Sequence, residues 1–201
     1  FRSKWKTDIP FSHDSLFDAI KSTTKDDMQH VMSAYHDNSA VIKSHGKNFL
    51  EIDGDNKFKN YQGKIDTTIK VETHNHPTGI SPFPGAATGA GGEIRDEAAT
   101  GIGAKSIAGF TGFSVSKINF KNENKFCNDG KATPLEIMIK GPLGSADFNN
   151  EFGRPTVAGY FRSFEVSENN QHWGFNKPII IAGGFVLINE FNVFKRKLLQ
   201  G

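Results

Sequence analysis

The sequence is poor in three features that narrow the range of functions. It has one cysteine, Cys127, and a formal net charge of only +2 over 201 residues. A single cysteine excludes a disulfide framework and predicts a reducing compartment, and the small charge gives no argument for a nucleic-acid partner. No apolar run approaches the roughly 20 residues of a membrane span, and no signal peptide is visible. We therefore expect a cytoplasmic protein that binds neither nucleic acid nor membrane.

The length of the chain fits one folded domain. A chain of 201 residues can bury a sizeable core. The sequence has no internal repeat and no long low-complexity segment. Because it begins with Phe1 rather than methionine, we expect it to be a piece of a longer protein.

Apolar periodicity predicts helices and strands that mix without strict alternation. Helical spacing predicts helices at residues 14–21, from 26 or 27 to 35, and at 92–100, with Gly101 and Gly103 as stops. β-branched and apolar runs predict strands at residues 39–44, 65–76, 108–116, 156–166 and 178–187. This order predicts an α/β or α+β fold, in which a mixed sheet has flanking helices.

Polar and turn-forming segments separate these elements. Residues 48–62 contain the turn sequence Asp53-Gly54-Asp55-Asn56 and predict an exposed loop or a short hairpin. A rigid extended loop is predicted where three prolines follow the site strand, at Pro77, Pro82 and Pro84. Other stretches are interpreted as a surface insertion at 117–131, a turn at 141–147, a polar loop at 168–173 and a solvated charge run at Lys195, Arg196 and Lys197.

The stretch from residue 70 to residue 96 combines charged, imidazole and small side chains. Side chains alternate between the two faces of a strand, so Lys70, Glu72, His74 and His76 point the same way if the strand stays regular. A cation, a carboxylate and two imidazoles are costly to bury unpaired. That face is therefore expected to border a solvated cleft or a ligand.

Four glycines follow in the same stretch, at positions 85, 89, 91 and 92. They lie before or at the start of the helix predicted near Glu93, and a helix N-terminus offers free N–H groups and partial positive charge to a phosphate. The stretch is not a P-loop, because no Gly-Lys-Ser/Thr follows the glycines, and the third glycine of the dinucleotide-binding fingerprint is missing.

The residues alone leave three interpretations of this stretch open. The first is a structural strand end with satisfied histidines and a glycine-rich turn. The second is a zinc hydrolase in which Glu72, His74 and His76 chelate one metal. The third is a nucleotide-phosphate site with Mg²⁺ held by Glu72 and Asp96. The glycines and Lys70 favour the third interpretation, since a hydrolytic zinc site needs neither.

Several long motifs, in the same order, resemble one enzyme family. They are residues 72–77, 85–88, 91–97, 141–144, 148–155 and 159–162. Together they resemble the large phosphoribosylformylglycinamidine synthase, the glutamine-dependent enzyme of the fourth step of purine synthesis, over nearly the whole chain. The resemblance implies an ATP-binding-like domain similar to the N-terminal domain of aminoimidazole ribonucleotide synthetase. This domain would occupy residues 1–188, incomplete at its N-terminus, and residues 189–201 would begin a linker.

The resemblance also implies a ligase reaction and a set of site residues. Formylglycinamide ribonucleotide, ATP and ammonia from glutamine would become formylglycinamidine ribonucleotide, ADP and phosphate through an iminophosphate, with further synthetase and glutaminase domains as partners. By matching positions, the catalytic residue is His74, the substrate-binding residues are Thr73, Asn75, His76 and Arg95, and the Mg²⁺ ligands are Glu72 and Asp96. The ATP-binding residues are Lys70, Gly85, Ala86, Ala87, Thr88, Gly89, Ala90, Gly91, Gly92, Glu93, Ile94, Arg95 and Asp96.

Other polar residues of these motifs receive no metal-binding or catalytic role. Glu93 and Glu97, four apart on a helix, are expected to face solvent rather than a metal. Asn149, Asn150 and Arg154 belong to a family motif but receive no role from it. The alternatives to the leading hypothesis are another ATP-using synthetase of the same superfamily and a non-catalytic module for nucleotide binding or assembly.

Overall fold

The computed structural model describes residues 2–8, 10–26, 29–120 and 130–194. The strands are Val31–Ser33 (β1), Ala40–Ile52 (β2), Phe58–Thr73 (β3), Lys105–Val115 (β4), Thr156–Ser163 (β5), Glu165–Glu168 (β6), Gln171–Gly174 (β7) and Ile179–Asn189 (β8). The helices are Leu16–Asp26 (α1), Asn75–Ile80 (α2), Pro82–Ala98 (α3) and Pro134–Glu151 (α4), and a 3₁₀ turn follows β8 at Glu190–Asn192.

The large sheet has the strand order β1-β2-β3-β8-β4-β5, while β6 and β7 pair separately. Its neighbouring strands are antiparallel except for β4 and β5, which are parallel. β8 lies between β3 and β4, as its near-continuous apolar sequence predicts for a buried strand. The mixed sheet with flanking helices confirms the predicted fold class.

The main core lies between the sheet and the pair α3 and α4. Ala86 of α3 and Ile137 of α4 pack with Phe113, Val115 and Ile180 of the sheet in one buried cluster. On the other face of the sheet, Val71 and Phe185 remain about half exposed, at 51% and 44%. A second buried cluster ties the end of β8 and the segment after it to β2; its members are Val41, Ile188 and Val193.

β2 and β3 form a long hairpin that presents β3 to the centre of the sheet. In its turn, the Asp53 carboxylate accepts hydrogen bonds from the N–H groups of Asp55 and Lys57, both at 3.0 Å, and Asn56 has a φ of 60°. Of the two structures expected for residues 48–62, the hairpin is therefore the one that forms. It is longer than expected, because both strands continue through the polar stretch.

The helix expected to continue through residue 35 is wrong over residues 31–33. These residues form β1, which pairs with β2 at Val31 and Ile42. The short apolar pair Val31 and Met32 does not by itself distinguish a helix from a strand, and pairing with β2 satisfies the backbone groups of β1.

The turn expected at residues 141–147 is also wrong, because this segment lies inside α4. The helix begins where the Thr133 hydroxyl accepts a hydrogen bond from the Glu136 N–H at 3.2 Å, with Pro134 in the first turn. Gly141 lies against the Phe113 ring and Gly144 against the backbone of Phe83. The small residues that suggested a turn are instead the places where the helix packs closely.

The polar loop expected at residues 168–173 is the turn and second strand of the β6–β7 hairpin. Asn169 and Asn170 have φ values of 51° and 61°, which is the geometry of a type I′ hairpin turn. The predictions for Cys127, for the charge run at residues 195–197 and for a helix start at residue 27 lie outside the described residues. Within the described part of the chain, no helix is long and apolar enough to cross a membrane.

Candidate functional site

A cluster of charged side chains lies where the end of β3 meets α3. Lys70 and Glu72 are on the same face of β3, as the alternation predicts, and Asp96 approaches them from α3. The Lys70 Nζ atom lies 2.9 Å from Asp96 Oδ2 and 3.8 Å from Glu72 Oε2. One ammonium group thus joins two carboxylates that are 24 residues apart in the sequence.

Partial burial strengthens the electrostatic coupling in this cluster. The side chains of Lys70 and Asp96 are only 18% and 11% exposed. Burial alone would raise the pKa of Asp96, but hydrogen bonds and charges from Lys70 and then Arg95 outweigh it and lower the pKa below its usual range. Asp96 is therefore ionised at neutral pH. Arg95 contacts the same carboxylate at 2.9 Å, although its side chain is 71% exposed.

The Glu72 carboxylate keeps unused acceptor capacity. Its Oε2 atom is buried and has no hydrogen-bond partner among the described residues. Gly92 of α3 lies beside it, and a Cβ at that position would stand 3.4 Å from Glu72 Oε1. The absence of a side chain at residue 92 leaves space next to the Glu72 carboxylate, whose Oε2 atom accepts no hydrogen bond from the described residues.

The strand alternation ends before His74, so the expected common face does not extend to His74 and His76. β3 ends at Thr73, and His74 is the N-cap of α2 with ψ of 60°. The His74 N–H donates to the Ile180 carbonyl at 3.2 Å, and its Cβ lies against Gly89. The chelating arrangement assumed by the zinc alternative, with three successive alternate strand residues, is therefore not formed.

The residues predicted to bind substrate have different environments. Thr73, His76 and Arg95 are exposed, whereas Asn75 is half-buried. The Asn75 Oδ1 atom accepts a hydrogen bond from the Ile180 N–H at 2.7 Å. Asn75 thus uses its acceptor to fix the start of β8 next to His74.

The predicted glycine-rich loop at a helix N-terminus is wrong. Gly85, Gly89, Gly91 and Gly92 all lie inside α3, which begins at Pro82 and follows directly on α2. Proline is tolerated in the first turn of a helix because those N–H groups have no intrahelical partner. Beyond the first turn, the N–H groups of α3 bond within the helix, so they do not form the phosphate cradle that we expected.

These glycines allow α3 to approach its neighbours closely. A Cβ on Gly85 would lie 2.5 Å from the backbone nitrogen of Thr78 in α2, and one on Gly91 would lie 2.5 Å from the Phe148 ring of α4. Both distances are much shorter than an ordinary van der Waals contact. The small residues therefore bring α3 close to α2, to α4 and to the end of β3.

The prediction that Glu93 and Glu97 face solvent is wrong. Both are buried, at 1% and 0% exposure, together with Arg154. Arg154 contacts the Glu93 carboxylate at 2.5 and 2.9 Å and Glu97 Oε2 at 3.3 Å. Burial and then the neighbouring Glu93 carboxylate raise the pKa of Glu97 to about 9, with Arg154 opposing the shift. The neutral form of Glu97 leaves one anion to balance one cation.

The helical spacing of residues along α3 could have predicted that Glu93 and Glu97 are buried. Ala86, Ala90, Glu93 and Glu97 are spaced by four, three and four residues, and all four are buried. Because the predicted helix began only at residue 92, the two glutamates were not aligned with the two alanines. Arg154 offers no comparable periodicity, since it follows the end of α4.

Solved structures of PurL from Thermotoga maritima are similar to this chain. PurL in complex with ADP is 25% identical over 90% of this chain, with a TM-score of 0.52, and PurL in complex with FGAR is 25% identical over 90%, with a TM-score of 0.50. Phosphoribosylformylglycinamidine synthase II from the same organism is 25% identical over 85% of this chain and 22% of its own, with a TM-score of 0.43. No protein-family model matches the chain.

The similarity to PurL concerns only part of that protein. This chain spans 23% of the length of the PurL chains in the ADP and FGAR complexes. It therefore shares a fold with about a quarter of PurL.

Proposed function

We propose that this protein is the first ATP-binding synthetase domain of a phosphoribosylformylglycinamidine synthase. The reaction converts formylglycinamide ribonucleotide (FGAR), ATP and ammonia from glutamine into formylglycinamidine ribonucleotide, ADP and phosphate. The observation that carries the proposal is the junction of Lys70, Glu72 and Asp96 beside His74. Its support is the fold shared with PurL, whose solved complexes contain ADP and FGAR.

Glu72 and Asp96 suit a Mg²⁺ ion that arrives with nucleotide. Both offer hard carboxylate oxygens, Glu72 Oε2 has no hydrogen-bond donor, and both already share one cation, the Lys70 ammonium. Mg²⁺ is commonly held by one or two carboxylates together with substrate phosphates and water. When bound, the ion would neutralise phosphate charge.

Lys70 supplies a second positive charge for phosphates. In this structure its charge is balanced by Asp96 and Glu72. If Mg²⁺ takes over those carboxylates, the ammonium becomes available to an ATP phosphate oxygen. Phosphoryl transfer depends mainly on such positioning and charge neutralisation. Arg95, largely exposed beside Asp96, would pair with the phosphate of the ribonucleotide.

His74 is the proposed acid–base residue. The reaction transfers the γ-phosphoryl group of ATP to the amide oxygen of FGAR, which forms an iminophosphate and releases ADP. Ammonia then forms the new C–N bond, the C–O bond to phosphate breaks, and the nitrogen loses a proton. His74 can donate a hydrogen bond to the amide oxygen or accept that proton. Thr73, Asn75 and His76 are proposed to line the substrate pocket.

The first residues of the proposed linker, residues 189–201, pack against the domain. Val193 packs against Val41 and Ile188, and the Asn192 carbonyl accepts a hydrogen bond from the Ile102 N–H at 2.9 Å.

The remaining synthetase and glutaminase domains are the proposed partners. The alternative is a non-catalytic nucleotide-binding or assembly module, which would use the half-exposed apolar residues Val71 and Phe185 as an assembly surface.

Calorimetry with a non-hydrolysable ATP analogue and Mg²⁺ tests the proposal. Wild-type protein should bind the analogue, and Glu72→Gln should weaken binding at least about tenfold, a loss of about 1.4 kcal/mol. Glu136→Gln is the matched control, because Glu136 forms an exposed ion pair with Lys140 on α4. Equal affinity of wild type and Glu72→Gln would contradict the metal assignment. FGAR should bind as well, and binding of nucleotide without FGAR would favour the non-catalytic module.

A further inference from the structure

Arg154 ties the helix that bears Asp96 to the centre of the sheet. It is 1% exposed and lies directly after α4. Its guanidinium donates to both oxygens of Glu93 on α3 and, at 3.1 Å, to the carbonyl of Gly183 on β8. A single side chain therefore bonds to two elements, α3 and β8, that flank the candidate site.

The sheet has a glycine where this guanidinium fits. A Cβ on Gly184 would overlap Arg154 Nη2 and would lie 2.7 Å from Glu93 Oε1. Gly184 is also the residue of β8 that faces Lys70 of β3 in the sheet register. The guanidinium therefore lies at the level of Lys70, one strand away from it.

Two polar bridges consequently hold α3 to the sheet, and both lie at the same height along the strands, where Lys70 and Gly184 face each other. Glu93 contacts Arg154, and three residues later Asp96 contacts Lys70. The second bridge is a single contact from the flexible side chain of Lys70, which sets a distance but not an orientation. The first is buried and bidentate, so it fixes both distance and orientation.

We propose that Arg154 is a positioning residue of the candidate site. Through Glu93 it fixes α3 relative to β8, and this places Asp96 opposite Lys70 and Glu72. The consequence for Mg²⁺ and nucleotide rests on the proposed function, whereas the position of Asp96 can be measured without any ligand.

A charge-neutral pair of substitutions separates positioning from stability. Arg154→Met alone leaves Glu93 buried without its partner and should lower the melting temperature strongly. Arg154→Met combined with Glu93→Gln removes both charges, so it should recover much of that loss without restoring the directional bonds. The matched control combines Lys140→Met with Glu136→Gln, which removes the exposed ion pair of α4.

Two measurements on the double variant then decide the proposal. Calorimetry with Mg²⁺ and the ATP analogue should show at least tenfold weaker binding, and a crystal structure should show Lys70 Nζ and Asp96 Oδ2 moved apart from 2.9 Å. The control pair should leave both unchanged. Wild-type affinity together with an unchanged distance would overturn the proposal.

Failure of the proposed function would be recognised separately. If wild-type protein binds no nucleotide, the proposed function fails and the Lys70–Asp96 distance alone decides whether Arg154 positions Asp96. If the double variant does not fold, Arg154→Lys takes its place, because lysine keeps the positive charge but loses the bidentate guanidinium contact with Glu93. Weaker binding or a longer distance at an unchanged melting temperature would support the proposal, and wild-type values of both would overturn it.

Discussion

Replacing Glu97 with glutamine should stabilise the protein at neutral and alkaline pH. Glu97 is fully buried, and burial together with the Glu93 carboxylate raises its pKa from an ordinary 4.5 to about 9. Between these two values the unfolded chain releases a proton that the folded chain keeps, so the free energy of unfolding falls as pH rises. Glutamine at residue 97 binds no proton in either state, so the free energy of unfolding of the variant lacks this decline.

The size of the effect follows from the width of this window. Each pKa unit corresponds to about 1.4 kcal/mol, so the loss for wild type between pH 4.5 and 7.5 is on the order of 4 kcal/mol. One kcal/mol shifts the melting temperature of a domain of this size by about 2–4 °C. The advantage of Glu97→Gln over wild type should therefore grow by roughly 8 °C or more between pH 4.5 and 7.5.

Thermal melts of both proteins across this pH range measure the difference directly. Comparison with wild type cancels the titration of the groups that do not interact with Glu97, and Glu136→Gln, at an exposed carboxylate on α4, should show no such trend. A melting-temperature difference between Glu97→Gln and wild type that stays constant with pH would show that Glu97 ionises normally in the folded state, contrary to a raised pKa.

Three further substitutions test the site and its packing. In the full-length enzyme, His74→Ala should lower kcat for ammonium-dependent formation of formylglycinamidine ribonucleotide by about 10²–10⁴ while nucleotide binding survives. A kcat within about threefold of wild type would make His74 structural. Gly85→Ala places a Cβ 2.5 Å from the backbone of α2 and should lower the melting temperature by several degrees. Gly54→Ala is the control, because a Cβ there meets nothing within 4 Å. Equal melting temperatures of Gly85→Ala and wild type would contradict the close packing of α3 on α2. Asn75→Ala leaves the Ile180 N–H without its acceptor and should lower the free energy of unfolding, measured in urea, by about 1–3 kcal/mol. Wild-type stability would show that this hydrogen bond does not hold Asn75 against β8.

The site strand was predictable because its signal is local. A period of two placed Lys70 and Glu72 on one face, and in the structure Lys70 contacts both Glu72 and Asp96. The end of the strand was not predictable in the same way. His74 leaves the strand where its N–H and the Asn75 side chain bond to Ile180, a residue more than 100 positions away.

The glycine-rich helix shows where local propensity misleads. Each glycine inside a helix costs about 1 kcal/mol relative to alanine, so Gly85, Gly89, Gly91 and Gly92 favoured a loop. Packing outweighs that cost, because the same glycines let α3 lie against α2 and the Phe148 ring of α4. This compensation depends on elements that a local window does not contain.

The buried charges were missed for a related reason. Two glutamates four apart on a helix usually face solvent, and only a cation placed beneath the helix changes that expectation. Arg154 lies 57 residues beyond Glu97 and reaches it from the end of α4. The motif containing Arg154 was recognised from the sequence, but its partner was not.

We propose that Glu72 and Asp96 hold the Mg²⁺ that accompanies ATP. A crystal structure of the protein soaked with Mn²⁺ and a non-hydrolysable ATP analogue would locate this ion, because Mn²⁺ is visible by anomalous scattering and accepts the same oxygen ligands as Mg²⁺. We expect one metal peak that contacts both carboxylates and the nucleotide phosphates, with Lys70 released from Asp96. A metal and nucleotide bound elsewhere, with Lys70 still 2.9 Å from Asp96, would contradict it.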